Sequence, residues 1–218
     1  MVNFSPLWIS LKVSIIATII TFVFGVVVAY GVYNYKGKGK SILEGILLIP
    51  LILPPTVVGF ILLVLLGKNG FIGQTLAPWN LSLVFNWYGA VIAAMVMGFP
   101  LMFRISLGAF EQIDTSILDA ARIDGASEMV VFAYLAIPMS IRGILSGLVL
   151  TFSRIMGEFG ATLMIAGNIP NKTQTVPMAI YFAVQGGNMR EAWIWCGILL
   201  GISFLSIFAL NFLSIFKT

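Results

Sequence analysis

The stretch Asp119-Ala120-Ala121-Arg122-Ile123-Asp124-Gly125, followed by Leu135-Ala136-Ile137-Pro138, lies between two long apolar runs. Residues 111–128, called the polar island here, hold five of the eight acidic residues of the chain, but only one basic residue, Arg122. An otherwise apolar membrane protein would retain such a polar segment only if a partner outside the membrane has to bind it. The island therefore predicts a contact with a partner.

Local signals predict a short helix inside this island. Asp114 can begin the helix at Thr115, because its carboxylate can accept hydrogen bonds from the first free backbone N–H groups. Gly125 can end the helix in a left-handed turn. Ile117, Ala121 and Gly125 then recur every four residues, which predicts one small apolar face that a partner can approach closely. The alternative is a solvated connector, the usual nature of charged loops between membrane spans.

The composition is that of a polytopic membrane protein. Apolar residues make up 60% of the chain and charged residues 9%, whereas soluble domains carry about 25% charged residues. The chain has no histidine and one cysteine, Cys196, which excludes an internal disulfide and a Cys/His metal cluster. Basic residues do not cluster on a soluble face, as nucleic-acid binding requires. We therefore expect no nucleic-acid partner, no bound cofactor and no metal site.

Five apolar runs are long enough to cross the roughly 30 Å of hydrocarbon in a bilayer. We expect one all-α membrane domain over residues 1–218, with a polar loop at 111–131. The expected spans are 7–33, 42–66, 88–103, 139–166 and 193–216. The pairs Gly143/Gly147 and Gly197/Gly201 predict faces at which helices approach closely. A run at 176–184, with Pro177 suited to a first turn, predicts a short helix at the outer surface.

The distribution of Lys and Arg predicts the orientation. With the N-terminus outside, seven of these residues lie at the cytoplasmic side and four at the outer side, as the positive-inside rule favours. This orientation also places the acidic island and the C-terminus in the cytoplasm, where ATP is. We expect Trp193 and Trp195 in an aromatic belt at the outer surface. The cytoplasmic set is Lys36, Lys38, Lys40, Arg104, Arg122, Arg142 and Lys217, and the outer set is Lys12, Lys68, Lys172 and Arg190.

A cluster of prolines interrupts the second span, in Ile49-Pro50-Leu51-Ile52-Leu53-Pro54-Pro55-Thr56. Proline removes a backbone hydrogen bond and clashes with the carbonyl one turn earlier, at about 3 kcal/mol in an ordinary helix. Because unsatisfied carbonyls cannot face lipid, the break should face protein or a water-filled cavity. Transporters place their pathways at such breaks. The candidates for a translocation pathway, with a packing kink as the alternative, are Pro50, Pro54, Pro55 and Thr56.

Arg154 and Glu158 place charge inside the fourth span. A charged side chain at the centre of a span costs at least about 2.5 kcal/mol and marks a candidate functional site. The two residues are four apart, so they can neutralise each other on one helix face. Counted from Pro138 at about 1.5 Å per residue, Glu158 can lie in the outer half of the span. A place in the pathway and a structural ion pair between subunits both fit this pattern.

The spacing Asp-Ala-Ala, three residues, Gly, nine residues, Leu-x-Ile-Pro resembles the EAA loop of permeases from binding-protein-dependent ABC importers. Asp119 stands where that family usually has Glu. In that family the loop forms a short helix that docks in a groove of the ATP-hydrolysing subunit. The resemblance implies an ATPase-coupling role for Asp119, Ala120, Ala121, Gly125, Ile137 and Pro138.

Further segments resemble the permeases of molybdate importers and extend the likeness over nearly the whole chain. The resemblance implies the fold of a type I ABC importer permease, with five spans and a cytoplasmic coupling helix, as a homodimer embedded in membrane lipid. It also implies two copies of a separate ATPase, which uses ATP and Mg²⁺, and an external binding protein that delivers the oxyanion. The segments are 48–59, 70–73, 99–102, 157–162, 168–170 and 175–177.

The expected function is that of a plasma-membrane permease subunit that moves molybdate into the cytoplasm at the expense of ATP. The chain lacks a Gly-x-x-x-x-Gly-Lys-Ser/Thr phosphate loop, so we do not expect it to be an enzyme by itself. Within this class, the ion can instead be tungstate, sulfate or thiosulfate. From another class, a passive channel or membrane scaffold is the alternative, and it would recruit no ATPase.

Overall fold

The computed structural model describes residues 3–79 and 82–215, and every regular element within those ranges is helical. The expected all-α class is confirmed. A 3₁₀ turn at Ala77–Trp79 and a π turn at Phe132–Ala136 complete the secondary structure. The helices are α1 (Ser5–Asn34), α2 (Lys40–Ile52), α3 (Pro55–Leu66), α4 (Phe71–Leu76), α5 (Trp87–Glu111), α6 (Thr115–Ile123), α7 (Glu128–Val131), α8 (Ile137–Met156), α9 (Gly160–Ala166), α10 (Val176–Gln185) and α11 (Met189–Ile215).

Four helical segments of the described chain are long and apolar enough to cross a membrane: α1, α5, α7 continued into α8, and α11. The pair α2 and α3 makes a fifth if it counts as one span, although its two helices are bent by 103°. Residue 216, the expected end of the last span, and Lys217 lie outside the described residues.

Helices α1 and α5 run parallel at the centre of the bundle. Lys12 near the start of α1 lies 3.7 Å from the ring centroid of Trp87 at the start of α5. Further along both helices, a methyl group added at Gly25 would lie 2.8 Å from Met102 Cγ. The side of the bundle at which both helices begin is called the Trp87 end here, and the other side the Glu111 end.

Helix α8 runs antiparallel to α5 and packs closely on it. A Cβ added at Gly143 would lie 2.6 Å from Ala109 Cβ, and one at Gly147 would lie 3.0 Å from Ile105 Cγ2. The close approach predicted for this glycine pair is confirmed. A Cβ added at Gly197 or at Gly201, both in α11, would meet no atom within 4 Å in the described part of the chain. That second glycine face is therefore uncovered in the single chain.

The expected fourth span, 139–166, is two helices and not one. Helix α8 ends at Met156, residues 157–159 are not helical, and α9 begins at Gly160. The break follows from a side chain that sequence reasoning treated only as a charge: Glu158 Oε1 accepts a hydrogen bond from the Ala161 N–H at 3.0 Å. This carboxylate caps α9 from two residues before its start, which a continuous helix would not allow.

A π turn connects α7 to α8 and has its own cause. The Ile137 N–H bonds to the carbonyl of Phe132, five residues earlier. Pro138 has no N–H, and its ring would clash with the carbonyl of Tyr134 one α-turn before it. One extra residue in the turn moves that carbonyl away, so the segment from Glu128 to Met156 continues as a single long helix.

Candidate coupling site and pathway

Helix α6 occupies the polar island, and both of its ends form as the sequence predicts. The Asp114 carboxylate accepts a hydrogen bond from the Ser116 N–H at 3.0 Å. Hydrogen bonding by the Ser116 side chain, and then by this N–H, lowers the pKa of Asp114. At the other end Gly125 has φ +90°. The Ala126 N–H then donates to the Ala121 carbonyl at 2.9 Å, which is the closing bond of a Schellman motif. The helix is therefore a rigid unit with defined limits.

Arg122, the one base of the island, holds α6 to the rest of the bundle. Its Nη1 donates to Asp119 Oδ1 at 2.7 Å, its Nε to Glu128 Oε1 at 2.7 Å, and its Nη2 to Asn34 Oδ1 at 3.1 Å. The Tyr30 hydroxyl donates to Glu128 Oε2 at 3.2 Å. Hydrogen bonding to Glu128 raises the pKa of Arg122 above its ordinary value. Helix α6 is thereby joined to the end of α1 and the start of α7.

The exposed face of α6 differs from the one expected. Leu118 is fully buried, and Ala121 packs against the same hydrophobic cluster. The outward face instead carries Ser116, Ala120 and Ile123, and Ile123 is 86% exposed. Of the expected face, Ile117 and Gly125 are exposed, whereas Ala121 is half-buried, because the contact of α6 with its own bundle uses that residue.

The remaining expected coupling residues lie on two elements. Asp119 and Ala120 are exposed on α6, whereas Ile137 and Pro138 form the first turn of α8, beyond the π turn. Gly125 is exposed, and a Cβ added there would meet nothing within 4 Å. Its positive φ, not lack of space, is what favours glycine at this position.

The proline cluster breaks the second span as expected and meets the second break of the chain. Helix α2 contains Pro50 and ends at Ile52, and α3 begins at Pro55. A Cβ added at Gly160 would lie 3.0 Å from Pro55 Cβ and 3.4 Å from the Thr56 side chain. The broken ends of α3 and α9 therefore lie side by side.

Arg154 and Glu158 form an ion pair within one chain. Arg154 Nη1 donates to Glu158 Oε2 at 2.8 Å. The Glu158 side chain is 3% exposed and that of Arg154 is 32% exposed. Glu158 thus makes two interactions: one carboxylate oxygen neutralises Arg154, and the other caps α9 by accepting the Ala161 N–H.

The depth of this pair follows from the contact between α8 and α5. A Cβ added at Gly98 would lie 2.6 Å from Ile155 Cδ1. Gly98 is 11 residues from Trp87 and 13 from Glu111, or about 16 Å and 20 Å along the helix. Ile155 therefore lies near the middle of α5, and Glu158, three residues further along the antiparallel chain, lies on the side toward Trp87.

Comparison with known proteins identifies the family. The family model described as "Binding-protein-dependent transport system inner membrane component" matches residues 21–217. The chain is 44% identical to the putative molybdenum transport system permease protein YvgM of Bacillus subtilis, covering 94% of this chain and 91% of that protein. It is 41% identical to the molybdenum transport system permease protein ModB of Escherichia coli K12, covering 95% and 93%. The sulfate transport system permease protein CysT of Salmonella typhimurium is 30% identical, covering 93% and 73%.

Solved structures share the fold at low sequence identity. The inward-facing MetNI methionine ABC transporter matches with a TM-score of 0.73 at 18% identity, covering 94% of this chain and 91% of that one. A bacterial alginate ABC transporter in complex with its pentasaccharide-bound periplasmic protein matches with a TM-score of 0.74 at 15% identity, covering 96% and 76%. The chain is a multi-pass membrane protein and belongs to the family of binding-protein-dependent transport system inner membrane components.

Proposed function

We propose that this permease subunit moves molybdate into the cytoplasm. Relatives named for molybdenum transport are 34% to 44% identical to the chain, whereas the CysT relative named for sulfate transport is 30% identical. This difference favours molybdate over sulfate or thiosulfate. Tungstate has the same charge and tetrahedral shape, so it is the alternative that a competition experiment must address first.

A separate ATPase drives transport through α6. The observation that carries this proposal is the Arg122 linkage, which joins a capped helix with an exposed outer face to α1 and α7. Force applied to the face formed by Ser116, Ala120 and Ile123 would pass through Arg122 into two membrane helices. ATP binding would pull α6 and open the pathway outward, and hydrolysis would reverse the change.

The assembly contains two copies of this chain, two ATPase subunits that use ATP and Mg²⁺, and an external binding protein. Helix α2 supports a second copy, since it has no fully buried residue, and apolar side chains such as Ile42, 69% exposed, project from it. The basic residues Lys36, Lys38 and Lys40 follow α1 at the Glu111 end. They support a cytoplasmic location for that end and an outer location for the N-terminus.

The pathway runs along the two breaks. Pro50, Pro54, Pro55 and Thr56 belong to the first break, and Arg154 and Glu158 to the second. Their mid-membrane depth supports this assignment, as does the close contact of Pro55 with Gly160, because broken helices are tolerated where they border protein or a water-filled cavity.

Uptake into proteoliposomes tests the proposal. The chain, its ATPase and its binding protein should accumulate radiolabelled molybdate only when ATP and Mg²⁺ are present on the ATPase side. Excess unlabelled tungstate and sulfate identify the preferred ion by the extent of competition. Accumulation that continues without ATP would support the passive channel and refute the importer. ATP-dependent uptake that sulfate suppresses better than molybdate would refute the choice of ion.

A further inference from the structure

A cavity of about 460 Å³ opens at the Trp87 end of the bundle, away from the two helix breaks. It lies between the first third of α1, the start of α5, and the loop that connects α9 to α10. Its polar side chains belong to two lysines and two asparagines, and two indole rings are part of the remaining wall. The lining includes Trp8, Lys12, Asn86, Trp87, Asn171 and Lys172.

The cavity carries two positive charges and no acidic side chain. Among the described residues, no ion pair includes Lys12 or Lys172. Lys12 is held in place by the face of Trp87, with Nζ 3.7 Å from the ring centroid, a cation–π geometry. A cavity whose charges are all of one sign attracts ions of the opposite sign, so this cavity favours an anion.

The backbone around the cavity is strained in the same place. Phe85 has φ 55° and Asn171 has φ 62°, and they are the two non-glycine residues with positive φ in the described chain. Both line the cavity. The Phe85 N–H donates to the Ile165 carbonyl at 2.9 Å, and this bond holds the loop before Asn86 against the end of α9. Backbone strain of this kind costs about 1–3 kcal/mol per residue and collects at ligand sites.

Amide groups complete the donor set. The Asn171 Oδ1 accepts a hydrogen bond from Asn3 Nδ2 at 2.7 Å, so the carboxamide NH₂ of Asn171 is the group left to donate. Asn86 lies next to the strained Phe85 and lines the same wall. Two ammonium groups with amide donors match the four oxygens and the charge of a tetrahedral oxyanion.

We propose that this cavity binds a tetrahedral oxyanion at the outer surface, where it collects the anion before translocation or holds the phosphate of a lipid headgroup. The chemistry is shared by the two sources, since both present a charged tetrahedral group. The first source rests on the proposed function, which supplies the anion and places this end outside. Trp8, 72% exposed, gives the second source a basis, because exposed indoles at the end of a span lie at headgroup level.

Binding to the full chain in nanodiscs tests the site. In phosphatidylcholine nanodiscs, equilibrium dialysis with radiolabelled molybdate measures binding of the free ion. In nanodiscs that also contain phosphatidylglycerol, extraction after purification counts the anionic lipid that stays with the protein. The variants are Lys12→Gln, Lys172→Gln and both together, and Lys68→Gln is the matched control, a lysine at the same end that does not line this cavity.

Molybdate binding that weakens about tenfold for each lysine removed, with the control within twofold, supports the site with the free ion as its ligand. Retention of phosphatidylglycerol that the double variant loses, without molybdate binding, supports it with the lipid as its ligand. If the wild-type chain binds neither molybdate nor phosphatidylglycerol, the proposal is overturned. Equal binding by the wild type and by the single variant Lys172→Gln, which changes an exposed side chain, also overturns it. The dialysis needs no ATPase, so this failure leaves the importer function standing, and a failed uptake assay leaves this site standing.

Discussion

Replacing Glu158 with Gln should strongly destabilise the protein, although the two side chains have nearly the same shape. Glutamine keeps an oxygen that can accept the Ala161 N–H, so the cap of α9 is largely preserved. What it removes is the negative charge that neutralises Arg154 near the middle of the bundle. The variant therefore tests the ion pair and not the helix break.

The expected loss follows from the burial of the pair. Removing one partner of a buried ion pair costs about 3–5 kcal/mol, because the other charge stays behind without compensation. About a third of the Arg154 side chain is exposed, so we reduce the expected loss to about 2–3 kcal/mol. The double variant Arg154→Met/Glu158→Gln removes the isolated charge and should recover at least about 1 kcal/mol relative to the sum of the single changes. Glu111→Gln, in a 4.0 Å pair with both side chains partly exposed, should cost less than about 0.5 kcal/mol.

Unfolding of the purified chains in one bicelle composition, followed by tryptophan fluorescence, gives the five free energies: those of the wild type, Glu158→Gln, Arg154→Met, the double variant and Glu111→Gln. Additive losses in the double variant would refute the reasoning, because two side chains that stabilise each other must show a coupling energy. Uptake by the same variants then separates the two roles of the pair. A purely structural pair predicts that transport recovers with stability in the double variant, whereas a place in the pathway predicts that transport stays low.

Three further experiments test the packing, the coupling helix and the helix cap. Gly59→Ala places a methyl group 2.8 Å from Ala161 Cα and should lower the free energy of unfolding by about 1–3 kcal/mol. The control Gly31→Ala, whose added methyl group meets no atom within 4 Å, should not lower it. Equal effects of the two changes would argue against close packing of α3 on α9. Ala120→Trp on the exposed face of α6 should reduce the molybdate taken up per ATP hydrolysed at least about tenfold. Its free energy of unfolding should stay within about 0.5 kcal/mol of the wild-type value. An unchanged ratio of uptake to hydrolysis would exclude that face as the contact with the ATPase. The lowered pKa of Asp114 means that its cap stabilises α6 above the ordinary carboxyl pKa and that this contribution is lost as the pH falls through the lowered value; a titration by NMR that finds an ordinary or raised pKa would contradict this.

The features that the sequence predicted correctly depend on neighbours close in the chain. The caps of α6 at Asp114 and Gly125 need only the residues of that helix. The interruption of the second span follows from the chemistry of proline, and α10 begins with Pro177 in its first turn as expected. The spacing Gly143/Gly147 predicted a close contact without naming the partner, which is α5.

The features that sequence reasoning missed depend on residues far apart in the chain. Arg122 reaches Asn34, 88 residues away, and no local pattern marks that partner, although a single base among five acids was a signal that it had a structural role. The helix that follows the break at 157–159 packs Gly160 against Pro55, which is far away in the chain. Trp195, expected in an aromatic belt, is fully buried because α10 covers it with Val176 and Ala179.

The bend between α2 and α3 leaves this part of the molecule thinner than the bilayer. The two helices have 13 and 12 residues, so they measure about 20 Å and 18 Å. Because the second helix deviates by 103° from the direction of the first, the pair reaches only about 24 Å from end to end, against about 30 Å of hydrocarbon. The remaining depth must be filled by the chain that follows α3, by a partner, by water or by locally thinner lipid.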